Sequence, residues 1–168
     1  YNQNMPIVLK NKDTLIYQDF IFKCSIGKKG LSKRKVEGDY KTPIGIYNLD
    51  KLYYRSDRIK KPKTKIKCIP IKKHMAWCND VKSKKNYNKL INIRQKVRYE
   101  KIYRFDGKYN LLIPIKYNFL KPKPGRGSAI FLHITKNFKP TAGCIALKET
   151  DFLILLKLIN KKTKILIN

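Results

Sequence analysis

The segment GSAIFLHITKNFKPTAGCIAL, Gly127 to Leu147, holds the residue types best suited to covalent chemistry. His133 stands near the end of an apolar run, and Cys144 follows a Pro-containing loop and the turn Thr141-Ala142-Gly143. A strand, a returning loop and a second strand could bring imidazole and sulfur within hydrogen-bond reach. A free thiol has a pKa of about 8.5, so a thiol nucleophile needs an imidazole neighbour to supply or stabilise thiolate. Gly143 gives the backbone freedom for a sharp turn that exposes the sulfur, and adjacent backbone N–H groups could hold an oxyanion. The same residue types also fit a small buried cysteine and a hydrogen-bonded core histidine. Spacing alone does not choose between them.

The elements that must position this pair read as mainly β. Apolar, partly β-branched runs at Ile7 to Leu9, Thr14 to Tyr17 and Phe20 to Ile26 are bounded by turn residues. A loop punctuated by Gly38-Asp39 and Thr42-Pro43-Ile44-Gly45 precedes a strand from Ile46 to Leu49, and Asp39 and Thr42 read as turn-formers. Thr64 to Ile71 alternates like a strand, Asn79 to Asn88 has loop composition, and a short helix is expected near Ile93 to Ile102. Pro114 interrupts the run Tyr109 to Tyr117 and implies an edge or a bulge. KPKPGRG, Lys121 to Gly127, is a connector before a strand from Ser128 to Ile134. One well-marked helix follows, with Thr150 as N-cap and Phe152, Leu153, Leu155, Leu156 and Ile159 on its apolar face. Lys164 to Ile167 supplies a closing strand. With no repeat and no linker, residues 1–168 are expected to form one domain, mainly β with one or two short helices.

Charge is the most conspicuous bulk property: 40 Lys+Arg against 11 Asp+Glu give +29. It invites a nucleic-acid reading, but the chain has 33 Lys to 7 Arg and 22 Ile to 4 Val. That is the skew of AT-rich codon usage, and the charge is dispersed, with no basic tail or stripe. No dedicated nucleic-acid partner is expected. No apolar run approaches the roughly 20 residues of a membrane span. No signal peptide is visible, and the chain opens on Tyr1, so this sequence says little about export. Cys24, Cys68, Cys78 and Cys144 show no zinc-ligand spacing, and His74 and His133 are the two histidines. A structural zinc is not expected. Cys24, Cys68 and Cys78 are most simply buried thiols, pairing being left open, and His74 is a surface residue.

Several motifs in order resemble the L,D-transpeptidases, the penicillin-independent enzymes that cross-link bacterial peptidoglycan. His133 and Thr141-Ala142-Gly143-Cys144 are similar to the signature of the YkuD-type catalytic domain, a His followed by Ser/Thr-x-Gly-Cys. KRKVEGDYKTPIGIYNL resembles the family's EGDGxTPxGxY/F segment. Trp77-Cys78-Asn79-Asp80 with Tyr87-Asn88, Ile115-Lys116-Tyr117-Asn118, PGRGSAIFLH and PTAGCIAL resemble a compact subgroup. The matches run from Lys33 to Leu147. The chain departs where many members carry His before the Gly and Arg two places after the Cys, having Ala142 and Ala146 instead.

The resemblance implies an L,D-transpeptidase-like β-sandwich and two-step acyl transfer between donor and acceptor stem peptides. Cys144 would be the nucleophile and His133 the general acid and base. Gly143 and Cys144 N–H groups would hold the oxyanion, with Thr141 orienting the loop. Arg126 is the candidate replacement for the absent Arg, and Trp77, Tyr87, Asn88 and Asn118 are candidates for the substrate groove. The resemblance requires no metal or organic cofactor, and it implies carbapenem sensitivity, a periplasmic or wall-associated site of action and a role in cell-wall biogenesis and cell shape. A monomer is expected. Two rivals stay open: an L,D-carboxypeptidase using the same pair, and a degenerate basic module binding nucleic acid or anionic wall polymer. The cross-link type, 3-3 or 1-3, stays open too.

Overall fold

The computed structural model describes residues 5–168. In chain order the first strands are β1 (Ile7–Lys10), β2 (Thr14–Tyr17), β3 (Phe20–Ser25), β4 (Leu31–Ser32), β5 (Thr42–Pro43) and β6 (Gly45–Asn48). Then come β7 (Leu52–Tyr54), β8 (Cys68–Pro70), β9 (Met75–Cys78), β10 (Leu90–Asn92) and β11 (Tyr99–Lys101). The last are β12 (Leu111–Pro114), β13 (Phe131–Ile134), β14 (Ile145–Leu147), α1 (Glu149–Leu158) and β15 (Lys164–Ile167).

Ten strands form one sheet in the order β6-β15-β1-β2-β3-β14-β13-β12-β7-β8. The sheet curls back on itself. Leu49, just past β6, bridges Ile115, just past β12, with Lys116 N–H on the Asn48 carbonyl and Asp50 N–H on that of Pro114, both at 2.9 Å. Pro114 is tolerated because it ends β12, pairing with Phe131 on one side where β7 no longer pairs on the other. A separate three-stranded sheet, β10-β9-β11, lies apart in hydrogen bonding, and β4 pairs with β5.

Alternation along β12 and β13 divides the interior. Leu111, Ile113, Leu132 and Ile134 face a large core shared with β1, β2, β15 and the buried face of α1, Phe152, Leu155 and Leu156. Leu112 and Phe131 face a second cluster with Tyr53, Trp77, Ile102, Tyr109 and Cys144. Both faces of these strands are buried, which is why they read as continuous apolar runs.

The helix expected near Ile93 to Ile102 is absent: turns lead into β11 there. Ile93 and Val97 pack against Ala76, Cys78 and Ile91, so their spacing serves the three-stranded sheet. The strand expected over Thr64 to Ile71 shortens to β8. Thr150 is not the N-cap, for α1 begins at Glu149 with Lys148 in the capping place and no side-chain cap. Glu149 and Asp151 in the first turn favour the helix N-terminus instead. All four cysteines are free. Among the described residues no helix is long and apolar enough to cross a membrane, and no cluster of His, Cys, Asp and Glu could hold a metal ion.

Candidate active site

The parallel pairing of β13 with β14 sets His133 opposite Ala146 and Leu132 opposite Ile145. Side chains two apart share a face. His133 and Phe131 therefore look to the same side as Ala146 and Cys144, and His133 and Cys144 line one cleft of about 500 Å³. No hydrogen bond joins them among the described residues. Ala146 lines, with His133, a second hollow of about 310 Å³.

Turn chemistry fixes the sulfur. Gly143 has φ +145, and a Cβ there would lie 2.8 Å from the Lys41 carbonyl oxygen. Thr141 brackets the turn, its hydroxyl donating to the Cys144 carbonyl at 2.6 Å and accepting from Gly143 N–H at 3.1 Å. Thr42, read as a turn-former, reaches across the chain: its hydroxyl donates to the Gly143 carbonyl and accepts from Gly27 N–H, each at 2.9 Å. The turn does not thrust the thiol outward as the sequence suggested. Cys144 is buried, its Sγ–H on the Ala129 carbonyl at 3.2 Å and its sulfur accepting from Phe131 N–H at 3.4 Å. Burial, reinforced by the Glu100 carboxylate, pushes the thiol up to about 12, so it rests neutral.

His133 is also buried, with Nδ1 2.8 Å from the carbonyl of Ile134 and the Tyr109 ring packed edge-on at 5.4 Å. Donation from Nδ1–H to that carbonyl leaves Nε2 as the acceptor nitrogen. The Ile134 carbonyl thereby fixes the orientation of the imidazole. Burial lowers the imidazole from 6.5 to about 4, and the nearby Lys108 and Arg104 cations act in the same direction. The unfolded chain takes up this proton near pH 6.5, the folded one only near 4. Stability therefore falls as pH drops through that window, by about 3 kcal/mol. Urea denaturation at pH 7 and pH 4.5 should show a steeper loss for the native chain than for His133→Gln. Equal slopes would contradict the burial of a neutral imidazole.

Cations ring the cleft: Lys28, Lys35, Arg98, Arg104 and Lys108. Lys35 is 4% exposed, its ammonium held 2.7 Å from Asp39. Two of the chain's three glutamates, Glu37 and Glu100, also face this space. Glu37 accepts from Tyr87 Oη–H at 2.9 Å and Ser128 Oγ–H at 2.7 Å. Tyr109 Oη–H donates to Glu100.

The candidate groove residues take other places. Trp77 is buried beneath the cleft, edge-on to Phe131 at 5.2 Å. Asn88 accepts from Trp77 Nε1–H at 2.8 Å and Ala129 N–H at 3.0 Å, and donates to the carbonyls of Tyr117 and Asn118 at 3.2 and 2.7 Å. Tyr87 is fully buried and also accepts from Gly127 N–H at 3.0 Å. Asn118 donates to Lys123 and Gly127 carbonyls, closing the KPKPGRG loop. Arg126 is exposed on that loop and does not line the cleft. Trp77 and Asn88 pack against the Ala129–Phe131 segment that seats the thiol, while Asn79, Arg98, Glu100, Arg104 and Lys108 face the space. Sequence reading did not propose the latter as site residues, because β11 and the segments flanking β9 and β11 bring them in from a distant part of the chain.

A mainly β domain whose curled sheet sets a cysteine and a histidine in one cleft defines an L,D-transpeptidase-type catalytic domain. The chain belongs to that family: the model for the L,D-transpeptidase catalytic domain (YkuD) matches residues 2–167. No curated protein sequence matches it. Among solved structures, the helical cell shape determining protein Pgp2 from Campylobacter jejuni matches with TM-score 0.52 at 18% identity, over 96% of this chain and 46% of that one. Bd1075 of Bdellovibrio bacteriovorus matches with TM-score 0.52 at 18% identity, over 99% and 48%. These likenesses show the shared fold. The chain spans about half the length of either structure.

Proposed function

We propose that this domain is a cysteine-dependent L,D-transpeptidase that joins peptidoglycan stem peptides through a thioester. The observation that carries the reading is the placing of His133 on β13 and of Cys144 immediately before the parallel neighbour β14, both lining one cation-rimmed cleft. Because both groups rest neutral, thiolate forms only as His133 takes the thiol proton while sulfur attacks the donor carbonyl. The protonated imidazole then passes that proton to the departing amine of the terminal D-residue. Collapse of the oxyanion leaves a thioester on Cys144, which an acceptor amine attacks. Thr141 already engages Gly143 N–H, so that donor reaches an oxyanion only if the hydroxyl turns away. The rim cations suit stem peptides, which carry carboxylates, and the net charge of +29 suits an anionic wall. Work at the wall, in the periplasm, follows from that substrate, and an influence on cell shape agrees with the description of Pgp2 as a cell shape determining protein.

Incubation with purified muropeptides, followed by mass spectrometry, tests this directly. Cross-linked dimers are expected, and fragmentation locates the new bond. Trimmed stems without dimers would instead make the domain an L,D-carboxypeptidase. A carbapenem should add its mass to Cys144. No product together with no adduct would sink the enzyme reading and leave the basic binding module.

A further inference from the structure

A transpeptidase must seat an amine beside its thioester, and the cleft holds acceptors suited to one. In the three-stranded sheet Glu100 pairs with Trp77, and Tyr99 with Cys78. Arg98, just before β11, and Glu100 share one face, which is the face of Trp77 on β9 and of Asn79 just after it. Glu100 and Asn79 both line the cleft with Cys144. Asn79 Oδ1 is buried and has no hydrogen-bond partner. A buried acceptor without a donor is costly, which marks a place for a ligand that brings one. Glu100 accepts from Tyr109 through Oε1, and no hydrogen bond to Oε2 is present among the described residues. An ammonium supplies three donors and no acceptor, the complement of this pair.

We propose that Glu100 and Asn79 form an ammonium-binding subsite that holds the acceptor amine against the acyl-enzyme. The inference rests on the transpeptidase reading and names the group that lets an amine outcompete water. One ammonium proton moves to the Glu100 carboxylate, freeing the nitrogen lone pair. The C–N bond forms as the C–S bond breaks, the second proton passes to His133, and sulfur leaves as thiolate. Charge balances: ammonium and carboxylate become neutral amide and acid, and imidazolium and thiolate appear in their place. Burial raises the Glu100 carboxyl above its ordinary range, with Arg104 and Lys108 opposing, which suits it to accept a proton.

The test partitions one acyl-enzyme between water and amine. The enzyme acylated by a tetrapeptide stem is offered diaminopimelate, an ammonium acceptor, or hydroxylamine, which is uncharged at neutral pH. For Glu100→Gln the ratio of diaminopimelate transfer to hydrolysis should fall about tenfold or more, as expected for a lost charged hydrogen bond. Transfer to hydroxylamine relative to hydrolysis should change far less, and Glu100→Asp should recover part of the loss. Because the readout is a ratio from a single intermediate, reduced folding yield does not mimic it. Asn79→Leu, which removes the orphan acceptor from the opposite strand, should move the ratio the same way. Unchanged ratios in both variants overturn the subsite. Failure of the native enzyme to form any acyl-enzyme overturns the transpeptidase reading instead.

Discussion

Replacing Cys144 with alanine is expected to abolish acyl transfer, lowering turnover of stem peptides at least about a thousandfold. The sulfur is the only group proposed to form the covalent intermediate, and His133 without it has no proton to move. Intact-mass measurement should show the carbapenem adduct on the native chain and none on Cys144→Ala. Cys24 will not substitute for it, being packed in the large core and not among the residues that line the cleft with His133. The variant should fold, because removing one sulfur from a seat of two weak hydrogen bonds costs little beside the core around it. Turnover unchanged within threefold would refute a cysteine mechanism.

The second large effect concerns a buried residue behind the thiol's seat. Asn88→Ala is expected to destabilise the fold by about 3 to 4 kcal/mol, since it orphans two buried N–H donors and two carbonyls at once. Asn88 also sits at φ 55, which asparagine tolerates better than alanine. The damage should reach the site through one peptide unit. Ala129 N–H is held by Asn88, and the carbonyl of Ala129 receives the Cys144 thiol. Urea midpoints give the stability loss. Alkylation of Cys144 by iodoacetamide should also become faster in the folded variant as its seat loosens. A loss below 1 kcal/mol would show that the network is replaceable by water.

How much of this was legible in the sequence depended on range. His133, Cys144 and the Gly143 turn lie within one short segment, so the order strand, loop, strand was enough to bring them together. The apolar face of α1 was equally plain, because Phe152, Leu155 and Leu156 mark it by spacing alone. Trp77, Tyr87, Asn88 and Asn118 illustrate the limit. Their types suit a groove and suit a buried, fully bonded wall, and only packing decides which. The helix expected near Ile93 to Ile102 gives way to turns because Ile93 and Val97 pack on the three-stranded sheet, a partner the local sequence does not name. Lys35 could not be singled out among 33 lysines, and Glu100 could not be placed without knowing which strand β11 joins.

The last strand has a consequence for how the chain is made. β15 lies between β1 and β6, pairing in parallel with the first strand and antiparallel with the sixth. Local hairpins such as β1–β2 and β2–β3 can form early, but this insertion joins Ile7–Lys10 to Lys164–Ile167, far apart in sequence. Such distant closure slows folding. A nascent chain still short of Lys164–Ile167 holds the edges of β1 and β6 open until β15 has been made. Pairing between neighbouring nascent copies would begin at those two edges.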